Sequence, residues 1–94
     1  MKLIAYYDND CKACFDDLLY SMLELKNKNR IKEFFYKTYN LVILDSDFNA
    51  DQLMKIFDED TPIEHKFSKL EIITDSEYEE YKKDFRPYTK SLFD

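Results

Sequence analysis

Cys11 and Cys14 are the only cysteines of the chain, and two residues, Lys12 and Ala13, separate them. That spacing lets one sulfur reach the other and close a disulfide. Ahead of them runs Leu3-Ile4-Ala5-Tyr6-Tyr7, which reads as a buried strand. Behind them Phe15, Leu18, Leu19 and Met22 recur at the spacing of one helix face. The pair therefore sits where a strand hands over to a helix. Unpaired backbone N–H groups and the positive end of the helix dipole favour a thiolate there, and the thiolate is the reactive form of cysteine. The chemistry this points to is thiol–disulfide exchange.

Two other uses of the pair stand beside it. Both cysteines could be small buried residues at a helix start. They could also be half of a tetrahedral zinc site, but the chain has no second cysteine or histidine pair. His65, its single histidine, reads as a half-exposed strand residue, and no metal is expected. Tyr6 and Tyr7 flank the cysteine loop, and either could shape a substrate groove.

The elements that must position these residues fit in one domain, because the chain has 94 residues. At 45% hydrophobic residues it can bury a core without staples. No apolar run approaches a membrane span, and Met1 to Ala5 lack the pattern of a signal peptide. A cytoplasmic location is expected, where a lone Cys-x-x-Cys is redox or metal chemistry more often than a structural bridge. The formal charge of −6 argues against nucleic acid as a partner. Charge is uneven: Glu24 to Lys37 holds five basic and two acidic residues, and Asp45 to Asp60 six acidic residues against Lys55. Solvated helix faces account for most of that. Glycine is absent, against about 7% on average.

In order, the pattern predicts a central strand at Lys2–Tyr7 and a helix from the cysteines to about Lys26, broken by Asn27-Lys28-Asn29-Arg30. Ile31 to Tyr39 is assigned to a second helical piece, although Phe34-Phe35-Tyr36 could equally open a strand. Leu41–Leu44 is a buried strand. Asn49 and Gln52 make an Asn variant of the capping box before Ala50, Leu53, Met54 and Phe57 on one helical face. Past Thr61-Pro62, alternation from Ile63 to Phe67 predicts a strand, Ser68-Lys69 a tight connection and Leu70–Thr74 its hairpin partner. Thr74 to Glu77 caps a last helix with Tyr78, Tyr81 and Phe85 inward, stopped by Arg86-Pro87, and residues 87–94 read as a tail. A right-handed crossover makes the first two strands parallel. The expected fold is α/β, a four-stranded mixed sheet in the order β-α-[α]-β-α-β-β-α with helices on both faces.

That order, with Cys11-Lys12-Ala13-Cys14 after strand one and Thr61-Pro62 opening strand three, resembles the thioredoxin superfamily, and the short glutaredoxin-like members most. The likeness spans Lys2 to Phe85. Locally, Asp8-Asn9-Asp10-Cys11-Lys12-Ala13-Cys14 is similar to the Asp-Gly-Asp-Cys-x-x-Cys start of the DCC family of predicted thiol–disulfide oxidoreductases, with Asn9 in place of glycine. The resemblance implies a thioredoxin-like domain over residues 1–94. It makes Cys11 the attacking cysteine and Cys14 the resolving one, and gives Pro62 the family's cis-proline position, with Thr61 pairing to substrate backbone. Lys12 and the helix-terminal N–H groups would favour the Cys11 thiolate, with Asp8, Asp10, Asp16 and Asp17 opposing, so a modest net gain is expected.

Glutaredoxins carry a Gly-Gly pair ahead of the last helix, where glutathione approaches the backbone. Ile72-Ile73-Thr74-Asp75-Ser76 has none. Thr74 and Ser76 could still help to hold a carboxylate at the helix N-terminus, but Asp75 would repel it, which speaks against glutathione. No cofactor is expected. The partners implied are a disulfide-bearing protein or small thiol and a thiol or reductase that supplies electrons. The alternative from a different class is a non-catalytic acidic protein of the same fold that binds a partner through Asp45–Asp60.

Overall fold

The strand that leads to the cysteines, β1 (Lys2–Tyr6), places Leu3 and Ala5 on one face and Ile4 and Tyr6 on the other, as the pleat requires. Both faces are covered, so the run can be apolar throughout. The computed structural model describes residues 1–8, 11–38, 40–60 and 67–89. After β1 come α1 (Lys12–Asn27), β2 (Glu33–Lys37), β3 (Leu41–Asp45), α2 (Ala50–Asp60), β4 (Lys69–Ile72), α3 (Asp75–Lys82) and β5 (Arg86–Pro87). Their strands form one sheet in the order β4-β1-β3-β2-β5.

The class is α/β, with helices on both faces. Phe15, Leu18, Leu19, Met22 and Leu25 of α1 and Leu53 and Phe57 of α2 pack on the Leu3, Ala5, Val42 and Leu44 side. Tyr78 of α3 and Phe85 cover Ile4 and Ile43 on the other. Capping follows the sequence closely. Asn49 and Gln52 exchange two hydrogen bonds at 2.8 and 2.9 Å ahead of α2, and Thr74 and Glu77 do the same at 3.1 and 3.0 Å for α3. In a chain without glycine, Asn29 ends α1 with a φ of 62°. Its N–H reaches Lys26 O, and Arg30 N–H reaches Leu25 O, the bonding of a Schellman motif.

The sheet differs from the four-stranded mixed expectation in number and direction. Among the described residues there are five strands, and every pairing is antiparallel. The segment assigned to a second helix is strand β2, because Phe34 and Tyr36 pack toward α1 while Glu33 and Phe35 face α3. It returns through a short turn into β3, and β3 slots between β2 and β1. Hence β1 and β2 point the same way, and the strand at Leu41–Asp45 runs antiparallel to β1 rather than parallel. The last strand is also displaced. Lys69–Ile72 pairs with β1 itself, Leu3 opposite Ile72 and Tyr6 opposite Lys69, instead of being the outer arm of a hairpin. Of its expected inner arm, Ile63 to Phe67, residues 63–66 lie outside the described residues, and Phe67 is buried but in no strand. Finally, Arg86-Pro87, expected to stop the last helix and open a tail, pairs with Tyr36 and Phe35 as an edge strand, a position in a sheet that tolerates proline.

Candidate functional site

Cys11 is the N-cap of α1. Its backbone is extended, and its Sγ accepts the N–H of Cys14 at 3.1 Å, the bond that a serine or aspartate oxygen usually supplies. The N–H of Phe15 closes the first turn on Cys11 O at 3.0 Å. The two sulfurs are joined in a disulfide, with Cα atoms 5.2 Å apart. Both cysteines are half-buried, Ala13 between them is exposed, and Cys14 leans on the core. The first turn of α1 contains no acidic side chain; Asp16 and Asp17 come in the turn after it.

The turn is held by aromatic contacts. Phe15 is fully buried, its ring 5.6 Å from Tyr7 and 6.5 Å from Tyr36. Tyr36 in turn meets Tyr88 edge-on at 6.4 Å, and the Tyr88 hydroxyl donates to Asp16 Oδ1 at 3.1 Å. This chain of rings ties the end of β1, the start of α1, the β2 edge and the segment after β5 together. Sequence reasoning missed the roles of Tyr36 and Tyr88 here, and weighed Asp16 only as a charge near Cys11. Tyr88 carried no periodic signal, since it follows a proline in what read as a tail.

Of the residues singled out beside the cysteines, Tyr7 is buried at the end of β1 and Lys12 is the half-buried first residue of α1. Thr61 and Pro62 lie outside the described residues. Thr74 and Asp75 are not brought to the cysteines. β4 descends alongside β1, and Ile73 N–H bonds Lys2 O at 3.0 Å, so both sit at the start of β1 while the cysteines follow its end. The four steps from Lys2 to Tyr6 span about 13 Å. The expected outer arm would have run parallel to β1 to the cysteine end; Lys69–Ile72 runs antiparallel to it and ends at the opposite one. The carboxylate-holding role proposed for Thr74 therefore has no place beside the sulfurs, and its side chain is spent on the α3 cap.

Among the described residues, no group of three or more His, Cys, Asp or Glu side chains is placed to share a metal ion, and no helix is long and apolar enough to cross a membrane. Compared with known proteins, the chain matches no family model, no curated protein and no solved structure.

Proposed function

We propose that the protein is a thiol–disulfide oxidoreductase of the cytoplasm, a thioredoxin- or glutaredoxin-like enzyme in its use of a strand–Cys-x-x-Cys–helix unit. The observation that carries this reading is the Cys11–Cys14 disulfide, half-exposed at the N-terminus of α1 with Cys11 Sγ accepting a helix N–H. A sulfur in that position is favoured as a thiolate once reduced.

In the reduced enzyme the Cys11 thiolate attacks one sulfur of a substrate disulfide. The S–S bond breaks, a mixed disulfide forms and the other substrate sulfur leaves as a thiolate that takes a proton. Cys14 gives up its proton and attacks Cys11 Sγ, which releases the second substrate thiol and restores the intramolecular disulfide. Two electrons and two protons have then passed to the substrate, and a thiol donor must return them through the same exchange. The steps in reverse oxidise a substrate dithiol.

The test is turnover of a protein disulfide with dithiothreitol as electron source. The wild-type chain should reduce it, Cys11→Ser should fall to the uncatalysed rate, and Cys14→Ser should accumulate mixed disulfides visible by mass. Turnover by the Cys11→Ser protein, or none by the wild type, would sink the assignment.

A further inference from the structure

Over the end of the sheet where β1 leads toward Cys11, the surface opens into a groove of about 380 Å³. Tyr6 and Asp8 form one wall, Asn40 and Leu41 of the β2–β3 turn a second, and Ser68 and Lys69 at the start of β4 a third. Tyr6 and Leu41 belong to the cluster under α3 and Tyr7, which also lines the groove, to the one under α1, so the groove lies over the end of the sheet. Its shape is fixed by backbone bonds. Tyr7 N–H reaches Asn40 O at 2.9 Å, and Ser68 donates its N–H and its hydroxyl to Tyr6 O at 2.8 and 2.9 Å.

The lining carries one cation, Lys69, and one anion, Asp8. The Lys69 ammonium is held by Glu71 at 2.6 Å and stands 6.0 Å from the Tyr6 ring. Asp8 is exposed, and among the described residues it has no ion-pair partner. α2 rises to the same end, where Phe57 stacks edge-on at 5.2 Å against Phe67, the residue before Ser68, and Glu59 is exposed. The basic stretch from Lys26 to Arg30 lies at the far end of α1, about 24 Å away along its 16 residues. Lys12 and Lys37 share the cysteine end but do not line the groove.

We propose that this groove takes a basic side chain of the substrate polypeptide, a lysine or arginine one to three residues from the cysteine under attack. The reach follows from the chain: Asp8 precedes Cys11 by three residues, at most about 11 Å, and three residues of an extended substrate cover the same span. A cation there meets the Asp8 carboxylate, and the −6 charge of the whole chain steers it in. An anionic thiol such as glutathione is turned away by the same charges. The inference rests on the redox reading, and the following experiment separates the two.

Two short peptide disulfides, one with lysines and one with glutamates within three residues of the cysteine, are compared as substrates at low and high salt. Their cysteine-to-serine versions are titrated into the isotopically labelled oxidised protein, and backbone amide shifts are followed. The lysine disulfide should have a kcat/KM about tenfold or more above the glutamate one at low salt. Asp8→Asn should bring the two close to parity, and the lysine serine-peptide should shift the amides of Tyr6, Leu41 and Lys69. Equal rates, a preference for glutamate, or shifts gathered around Lys26 to Arg30 would overturn the groove while leaving the redox reading intact. Binding of the lysine serine-peptide at Tyr6, Leu41 and Lys69 with neither disulfide reduced would do the reverse.

Discussion

Cys11 closes the first turn of α1 with its own sulfur, and reduction does not remove that duty: a thiolate is a better acceptor for the Cys14 N–H than a disulfide sulfur. The two thiols of the reduced protein should therefore differ sharply. Cys11, at the helix tip, carries the ionised fraction, and Cys14 leans on the core behind it. With iodoacetamide at neutral pH and quantitation by mass spectrometry, Cys11 is expected to be alkylated about tenfold faster or more. Faster labelling of Cys14 would reverse the two roles. This much was legible in the sequence, because strand, two-residue spacing and helix periodicity are all local. The partners of the site were less so. Asp16 is steadied by Tyr88, 72 positions away, and nothing short of the folded sheet edge brings those residues together.

Elements were legible where one signal dominated and were not where two competed. The caps at Asn49 and Thr74 and the apolar run of β3 were plain. Ile31 to Tyr39 satisfied both helix and strand spacing, and packing settled it: the pleat buries Phe34 against α1 and offers Glu33 to Tyr78 across the sheet. The price of a hairpin without glycine is visible at Thr38, whose φ is 56° although its side chain is β-branched. Left-handed backbone costs such a residue about 1–2 kcal/mol, and asparagine tolerates it better. Thr38→Asn should stabilise the protein by about 1 kcal/mol, read as a higher urea midpoint with an unchanged slope. A lower midpoint would mean that the Thr38 hydroxyl, 2.5 Å from Asn40 Oδ1, matters more to the turn than its backbone strain.

At the scale of the whole molecule, two part-buried polar contacts on the α3 side set how stability responds to pH. Asp45 pairs with Lys2 at 2.9 Å and with the Met1 ammonium at 3.3 Å. Burial pushes its carboxyl up, but the hydrogen bonds and charges of the two ammonium groups outweigh that and hold it below the ordinary value of 3.8. Stability from this carboxylate is present above that value and drains away as pH falls through the lower, folded one. Tyr78 is fully buried, with its hydroxyl donating to Glu33 at 2.9 Å, while the Lys2 ammonium stands 5.1 Å from its ring. Burial first, then the Glu33 bond and charge, drive its ionisation far above the ordinary 10.0. The neutral phenol's contribution is intact below pH 10 and is lost as pH climbs beyond it. Urea midpoints across pH should thus fall at both extremes. Asp45→Asn should lower the plateau and flatten the acid limb, and Tyr78→Phe should do the same to the alkaline one. Phenolate absorbance should also show one tyrosine silent until the protein unfolds, and that silent signal should vanish in Tyr78→Phe. An alkaline limb unchanged by Tyr78→Phe would place the proton-linked opening elsewhere. The α3 side would then owe its alkaline stability to the apolar contacts with Ile4 and Ile43 and to the Asp45 pairs, not to the Tyr78 phenol.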